Sequence, residues 1–262
     1  MLSYSFQAPS MFSVILMFKF VTIEDKLIFL ERSMTDFHRE KLNKKQYYWE
    51  QGPYFQGDIR LTEEQTKNGL VDEQYRWTGA TVPYVITGNF SSEQLAVIEA
   101  SFDEYHAKTC VKFIPRSNET DYIDIESEET GCWSYLGRIG NRQELNLQKS
   151  GCVQYKGTPV HELMHAIGFH HEHARWDRDE YVRILEENTD PDYVHNFEKF
   201  NKTYITGFGL PYDWSSVMHY SEYAFSTTGK PTILSKPEGI PLGNEEGLTD
   251  IDAAKINAMY NC

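Results

Sequence analysis

The sequence lacks a long apolar run. Its one candidate, Met11 to Phe20 (MFSVILMFKF), is interrupted by Lys19 and is well short of the roughly 20 apolar residues that a membrane-spanning helix needs. No basic residue precedes it and no small-residue cleavage site follows. A signal peptide within residues 1–30, a pro-segment helix and a misassigned start therefore stand as open readings. Positive charge is also scarce, with 25 Lys and Arg against 39 Asp and Glu and a formal net charge of −14. That balance argues against nucleic acid or an anionic membrane as a partner. The four cysteines, Cys110, Cys132, Cys152 and Cys262, are too widely spaced for a CxxC zinc site. Their even number leaves three disulfide pairings open. Repeats and low-complexity tracts are absent too, which excludes solenoid and fibrous classes.

What is present suits a folded protein. At 40% hydrophobic and 14% aromatic residues, 262 residues can build one large domain or two small ones. Residues 24–50 follow no clean period, and RLTEEQTKNG (60–69) reads as an exposed linker. From Tyr75 the texture changes. TVPYVITGNF predicts a strand ending in a Gly-Asn turn. SSEQLAVIEASFDEYHAKTC predicts a helix with a serine cap and Leu95, Ile98, Phe102 and Tyr105 on its apolar face. CVKFIP and YIDIES read as short strands, 172–247 as loop-rich, and LTDIDAAKINAMYNC as a final helix capped by Thr249. Three Asn-x-Ser/Thr sequons, at Asn89, Asn118 and Asn201, would be glycosylation acceptors in a secreted chain.

Five of the nine histidines lie between His161 and His173. In HELMH, His161 and His165 stand four apart, which puts both imidazoles on one face of a helix. Glu162 adjoins the first, close enough to polarise a metal-bound water without binding the metal. Gly168 can take a left-handed conformation, end the helix and turn the chain back. That turn delivers His171 as a third ligand. Three neutral nitrogens leave one coordination position open, the mark of a catalytic zinc site. His170 and His173 fall outside this HExxHxxGxxH spacing and read as non-ligands. His219 reads as structural.

The same pattern, with SVMHY (216–220) downstream, resembles the metzincin metallopeptidases. The run HELMHAIGFHHEHARWDRDEYV resembles the astacin family within them, Glu172 being the discriminating position. The likeness extends from about Asn68 to Cys262 through YRWTGATVPYVI, KTCVKFIP and GCWSYLGRIG…GCVQYKGTPVHEL. It implies an α+β, two-lobed catalytic domain with a twisted mixed sheet, an active-site helix and an irregular C-terminal lobe. It implies one zinc ion, with Met218 as the hydrophobic floor beneath it. It also implies that Tyr220 is an additional zinc ligand that swings away to the developing oxyanion, and that substrate lies along the edge strand Cys132–Tyr135. The pairings it implies are Cys110 with Cys262 and Cys132 with Cys152. The first closes a loop that stabilises by about 4–5 kcal/mol, and two bridges point to an oxidising, extracellular compartment.

FQGD (55–58) resembles the pro-peptide segment whose aspartate occupies the zinc in astacin zymogens. Asp58 is thus expected to be an inhibitory ligand of a latent form, in a pro-segment spanning 1–67. Counting back from Trp77 to match the family's mature start, the resemblance implies that the mature chain begins at Asn68, after Lys67, so a trypsin-like protease would activate it. The resemblance further implies that the freed ammonium is buried and approaches Glu172, whose burial without a partner would be costly. The expected partners are protein or peptide substrates and the activating protease, with the chain itself a monomer. No arginine follows Tyr220, and PLGNEEGLT (241–249) is acidic, so a preference for acidic residues after the scissile bond is not carried over.

Overall fold

Ser91 opens the first long helix, α1 (Ser92–Lys108), with a reciprocal capping box. Its side chain accepts from Gln94 N–H while Gln94 reaches back to the Ser91 backbone, so two otherwise orphaned donors are paired. Ile98, Phe102 and Tyr105 point into the core as their spacing predicts, and Leu95 is half-buried. This computed structural model describes residues 47–63, 65, 73–202 and 207–262. The Met11–Phe20 stretch and the expected cleavage site Lys67-Asn68 lie outside the described residues.

α1 packs on a six-stranded mixed sheet made of β1 (Ile59–Arg60), β2 (Thr81–Ile86), β3 (Lys112–Pro115), β4 (Tyr122–Glu126), β5 (Cys132–Tyr135) and β6 (Arg142–Leu147). The strand order is β1-β5-β6-β4-β2-β3. β5 runs antiparallel to β6, whereas β1 lies parallel to β5 with Ile59 opposite Ser134 and Arg60 opposite Tyr135. Without β1, β5 is the free edge. β6 escapes sequence patterning because RQELNL buries polar side chains. Gln143 donates to Gly137 O, and Asn146 donates to Glu128 O and Gly131 O, so each buried amide is satisfied.

Against β5 lies α2 (Gly157–Ala166), all ten of whose residues are buried. A helix covered on every side belongs to the interior, where its polar residues need specific partners. The region from 172 onward is built of short 3-10 turns and one antiparallel ribbon, β7 (Val182–Ile184) with β8 (Ile233–Ser235). α3 (Asp250–Tyr260) starts at the expected Thr249 cap and uses Asp252 to complete its capping box. Cys110 bonds Cys262 and Cys132 bonds Cys152. The architecture is α+β, as the resemblance implies. None of the described helices is long and apolar enough to cross a membrane.

The stretch 60–69 is not simply the exposed linker that its sequence predicts. Arg60 pairs with Glu144 at 2.8 Å and lies over the rings of Trp133 and Tyr135. Gln65 is buried and donates to Leu136 O. A polar sequence reads as solvated, but an edge strand recruits its polar side chains too.

Candidate metal centre and active site

His161, Glu162 and His165 stand on α2, and all three are fully buried. The helix stops where Gly168 takes φ +110°, a backbone conformation that a side chain would strain. The chain then turns back and brings His171 to the other two. The outward ring nitrogens are tethered. Nδ1 of His161 donates to Val217 O at 2.7 Å, Nδ1 of His165 to Phe169 O at 2.6 Å, and Nδ1 of His171 to Gln56 Oε1 at 3.0 Å. Carbonyl oxygens only accept, so in the neutral rings each Nδ1 carries the proton and each Nε2 presents a lone pair.

Those three Nε2 atoms converge on Asp58. Its carboxylate lies 2.8 Å from His161, 3.5 Å from His165 and 3.3 Å from His171. The four donor atoms all lie within 4.8 Å of one another. Burial holds His161 below its ordinary value and His171 down at about 3. Burial alone would raise Asp58, but the surrounding imidazoles outweigh it and hold the carboxyl well below the usual range. Four buried electron-pair donors face one point with no proton to share. Oδ1 of Asp58 and Nε2 of His165 have no hydrogen-bond partner. Buried lone pairs so arranged need a cation between them, and three histidines with one carboxylate form a donor set that fits zinc.

Glu162 lies beside this group with both carboxylate oxygens unpartnered among the described residues. Burial, with the Asp58 charge second, pushes it well above the ordinary carboxylate range. Tyr220 is fully buried, and its hydroxyl donates to Gln56 O at 2.6 Å. Met218 is buried, and its carbonyl accepts from Glu172 N–H at 2.9 Å. The SVMHY turn therefore acts through its backbone as well, since Val217 and Met218 carbonyls tie both His161 and the third-ligand loop. His170 packs against Phe200 and His219 bridges Tyr212 and Tyr220 O. Neither joins the metal group, nor does His173, whose ring stacks on Tyr220 at 3.7 Å.

Glu172 has partners that the sequence did not reveal. Lys255 Nζ reaches its Oε2 at 2.7 Å, and Arg175 and Asp213 N–H take Oε1 at 3.2 and 3.0 Å. Glu172 is thus already paired among the described residues, because α3 supplies an internal ammonium.

Sequence reasoning also missed the residues around Asp58. Trp49 stacks on His161 at 3.8 Å and on His171 at 5.3 Å. The neighbouring Glu50 accepts from the hydroxyl and N–H of Ser221, and burial pushes its carboxyl up to about 8. Gly57, at φ +89°, lets the backbone pass so close that a Cβ would sit 3.2 Å from Trp49 O. The run YYWEQG (47–52) follows no clean period and gave no sign of this packing. Gln56, Asn196 and Lys255 left no signal at all, because their roles depend on residues more than eighty positions away.

The profile of the Astacin peptidase family matches residues 69–261. Zinc metalloproteinase nas-7 of Caenorhabditis elegans is 40% identical over 209 residues, covering 79% of this chain and 54% of that protein. The astacin-like metalloendopeptidase of Gallus gallus is 44% identical over 183 residues, covering 69% and 44%. The chain spans about half the length of the curated relatives it matches. Among solved structures, the hatching enzyme zinc-protease High choriolytic enzyme 1 of Oryzias latipes superposes with a TM-score of 0.69 at 40% identity. That likeness covers 74% of this chain and 100% of that one. A buried cage of three histidines and an aspartate, two of the histidines from an HExxH helix, thus coincides with a family match along most of the sequence, and the chain belongs to the astacin family of zinc metallopeptidases.

Proposed function

We propose that this chain is the latent form of a secreted zinc endopeptidase. The observation that carries the reading is the cage itself, in which three tethered imidazoles and Asp58 aim unprotonated donors at one point. His161, His165 and His171 would hold the ion and Asp58 would take its remaining position. Zinc bound there supplies Lewis acidity that lowers the pKa of a water toward about 7 and polarises the scissile carbonyl. Glu162, free of other partners, takes the proton of the attacking water and passes it to the leaving amine. Tyr220 Oη, here donating to a peptide carbonyl, is a donor suited to the developing oxyanion.

Residues 1–67 are read as the pro-segment and 68–262 as the catalytic domain, a boundary that the family match beginning at residue 69 supports. Asp58 denies water its place, Trp49 covers two of the ligand rings, and β1 occupies the β5 edge. Ser134 N–H already donates to Asp58 O at 3.0 Å, so a substrate adding as a strand has to displace β1. A trypsin-like cut after Lys67 would free Asn68 and release this occupant, and the new ammonium would join the Glu172 cluster. Two disulfides favour an oxidising compartment and hence secretion. The partners are protein or peptide substrates and the activating protease, and the protein acts as a monomer.

The test is cleavage of a quenched generic peptide before and after limited trypsin. Turnover is expected only after trypsin. Glu162→Ala should lower it by about 10²–10⁴-fold with zinc retained at one per chain, and uncut Asp58→Ala should leak activity. If trimmed protein binds zinc and cleaves nothing, the endopeptidase reading is lost and the fold serves binding.

A further inference from the structure

We propose that Asn196 binds the substrate backbone in the active cleft. The inference rests on the reading of residues around Asp58 as occupants of that cleft. Gln56 stands two residues before Asp58, and its peptide groups are gripped on both sides. Its N–H donates to Asn196 Oδ1 at 3.1 Å, and its carbonyl accepts from Tyr220 Oη at 2.6 Å. The direction of the first bond settles the amide's orientation, since only Oδ1 can accept from an N–H.

Asn196 is fully buried. Among the described residues its side chain makes no hydrogen bond except the one to Gln56, and its Nδ2 has no partner. An amide buried without serving its own fold is costly. Among the described residues after 73 it has no side-chain bond that would account for its keeping. A donor and an acceptor on one rigid group match what a peptide backbone offers, an N–H and a C=O.

The backbone beneath this amide is held by the third-ligand loop. His173 Nε2 donates to Asn196 O at 3.1 Å. Arg178 donates to Phe197 O and also to His173 O. The Phe197 ring stands edge-on to Tyr220 at 5.8 Å. Asn196 and Tyr220 are therefore positioned by the same packing that delivers His171. When the pro-segment leaves, both side chains lose a peptide partner together, and an extended peptide in the cleft can restore both bonds. A preorganised pair of this kind binds at little reorganisation cost.

The experiment is an ester scan on trypsin-trimmed full-length protein. Single backbone N–H groups of a quenched peptide, within three residues of the scissile bond, are replaced in turn by an ester oxygen. In the wild type, one position is expected to raise KM by about fivefold to tenfold, the worth of one hydrogen bond. Asn196→Ala should raise KM for the all-amide peptide by a similar factor with kcat nearly unchanged, as for uniform binding. In that variant the position-specific ester penalty should vanish. Zinc content and Tm report whether the variant is folded, and Asn196→Leu, of similar shape, replaces it if alanine is not tolerated. An identical ester profile in wild type and variant overturns the proposal, as does a wild type with no penalised position. A trimmed wild type without turnover sinks the peptidase reading separately. The same peptides are then read as dissociation constants by tryptophan fluorescence, and the same comparison decides the role of Asn196.

Discussion

At the scale of single residues, the metal cage rests on tautomers. Three Nδ1 tethers decide where three Nε2 lone pairs point. Two of the acceptors are backbone carbonyls of the catalytic domain, Val217 and Phe169, but the third is Gln56, which departs with the pro-segment in the proposed activation. Another buried carboxylate sets a pH response away from the metal. Asp252 accepts from Ser216 Oγ and the N–H groups of Val217 and Thr249. Burial pushes it from 3.8 to about 6, with Lys255 and the Ser216 bond opposing. A raised folded value means that its contribution is fully present below pH 3.8 and is lost as pH rises through about 6. Asp252→Asn is therefore expected to be less stable throughout, since one amide oxygen cannot serve three donors, yet to lose less stability between pH 4 and pH 7 than wild type. Urea midpoints across that range would check it, and parallel curves would refute it.

At the scale of elements, α3 is pinned to the third-ligand loop. Lys255 and Glu172 are both almost completely buried, and their contact joins residues 83 positions apart. Removing one partner of a buried pair leaves an uncompensated charge, at a cost of about 3–5 kcal/mol. Arg175 still faces Glu172, so Lys255→Met should fall at the lower end, about 3 kcal/mol in urea denaturation; no loss would mean that Arg175 alone compensates. The 3-10 turn Trp49–Gln51, upstream of β1, is the second element to test. Trp49 is 1% exposed and stacked on two ligand rings, so truncating it loosens the occupant of the cleft without touching Asp58. Uncut Trp49→Ala is expected to leak peptidase activity, less than Asp58→Ala does. Silence equal to wild type would assign all latency to the aspartate.

At the scale of the whole molecule, the donor cage and the disulfides each join parts of the chain that lie far apart in sequence. With the ion removed, the Asp58 carboxylate stands against three nitrogen lone pairs. Chelation is thus expected to lower the Tm of the uncut wild-type chain more than that of uncut Asp58→Ala. Equal losses would mean that Asp58 does not share the ion. The Cys110–Cys262 bridge spans 152 residues and ties the end of α3 to the start of β3. Replacing both cysteines by alanine should cost on the order of 4–5 kcal/mol by loop-closure entropy.

Much of the catalytic half was legible in the chain because its signals are local. Two histidines four apart on a helix, a glycine at the turn and the caps Ser91 and Thr249 before α1 and α3 are facts of spacing, and spacing survives without a tertiary structure. The irregular stretch after 172 and the α+β class followed from pattern and resemblance. What sequence could not supply were contacts whose partners lie far along the chain. Trp49 meets His161, Lys255 meets Glu172, Gln56 meets Asn196 and Tyr220, and β6 hides polar residues that only the folded sheet satisfies. The sequence by itself determined which atoms can bind a metal and where the helix that bears them ends. Tertiary structure alone decided which acceptor fixes each ring, which carboxylate closes the cage and which amide faces the bound chain. Hydrogen-bond direction and burial depend on distances in space, and local spacing does not encode them.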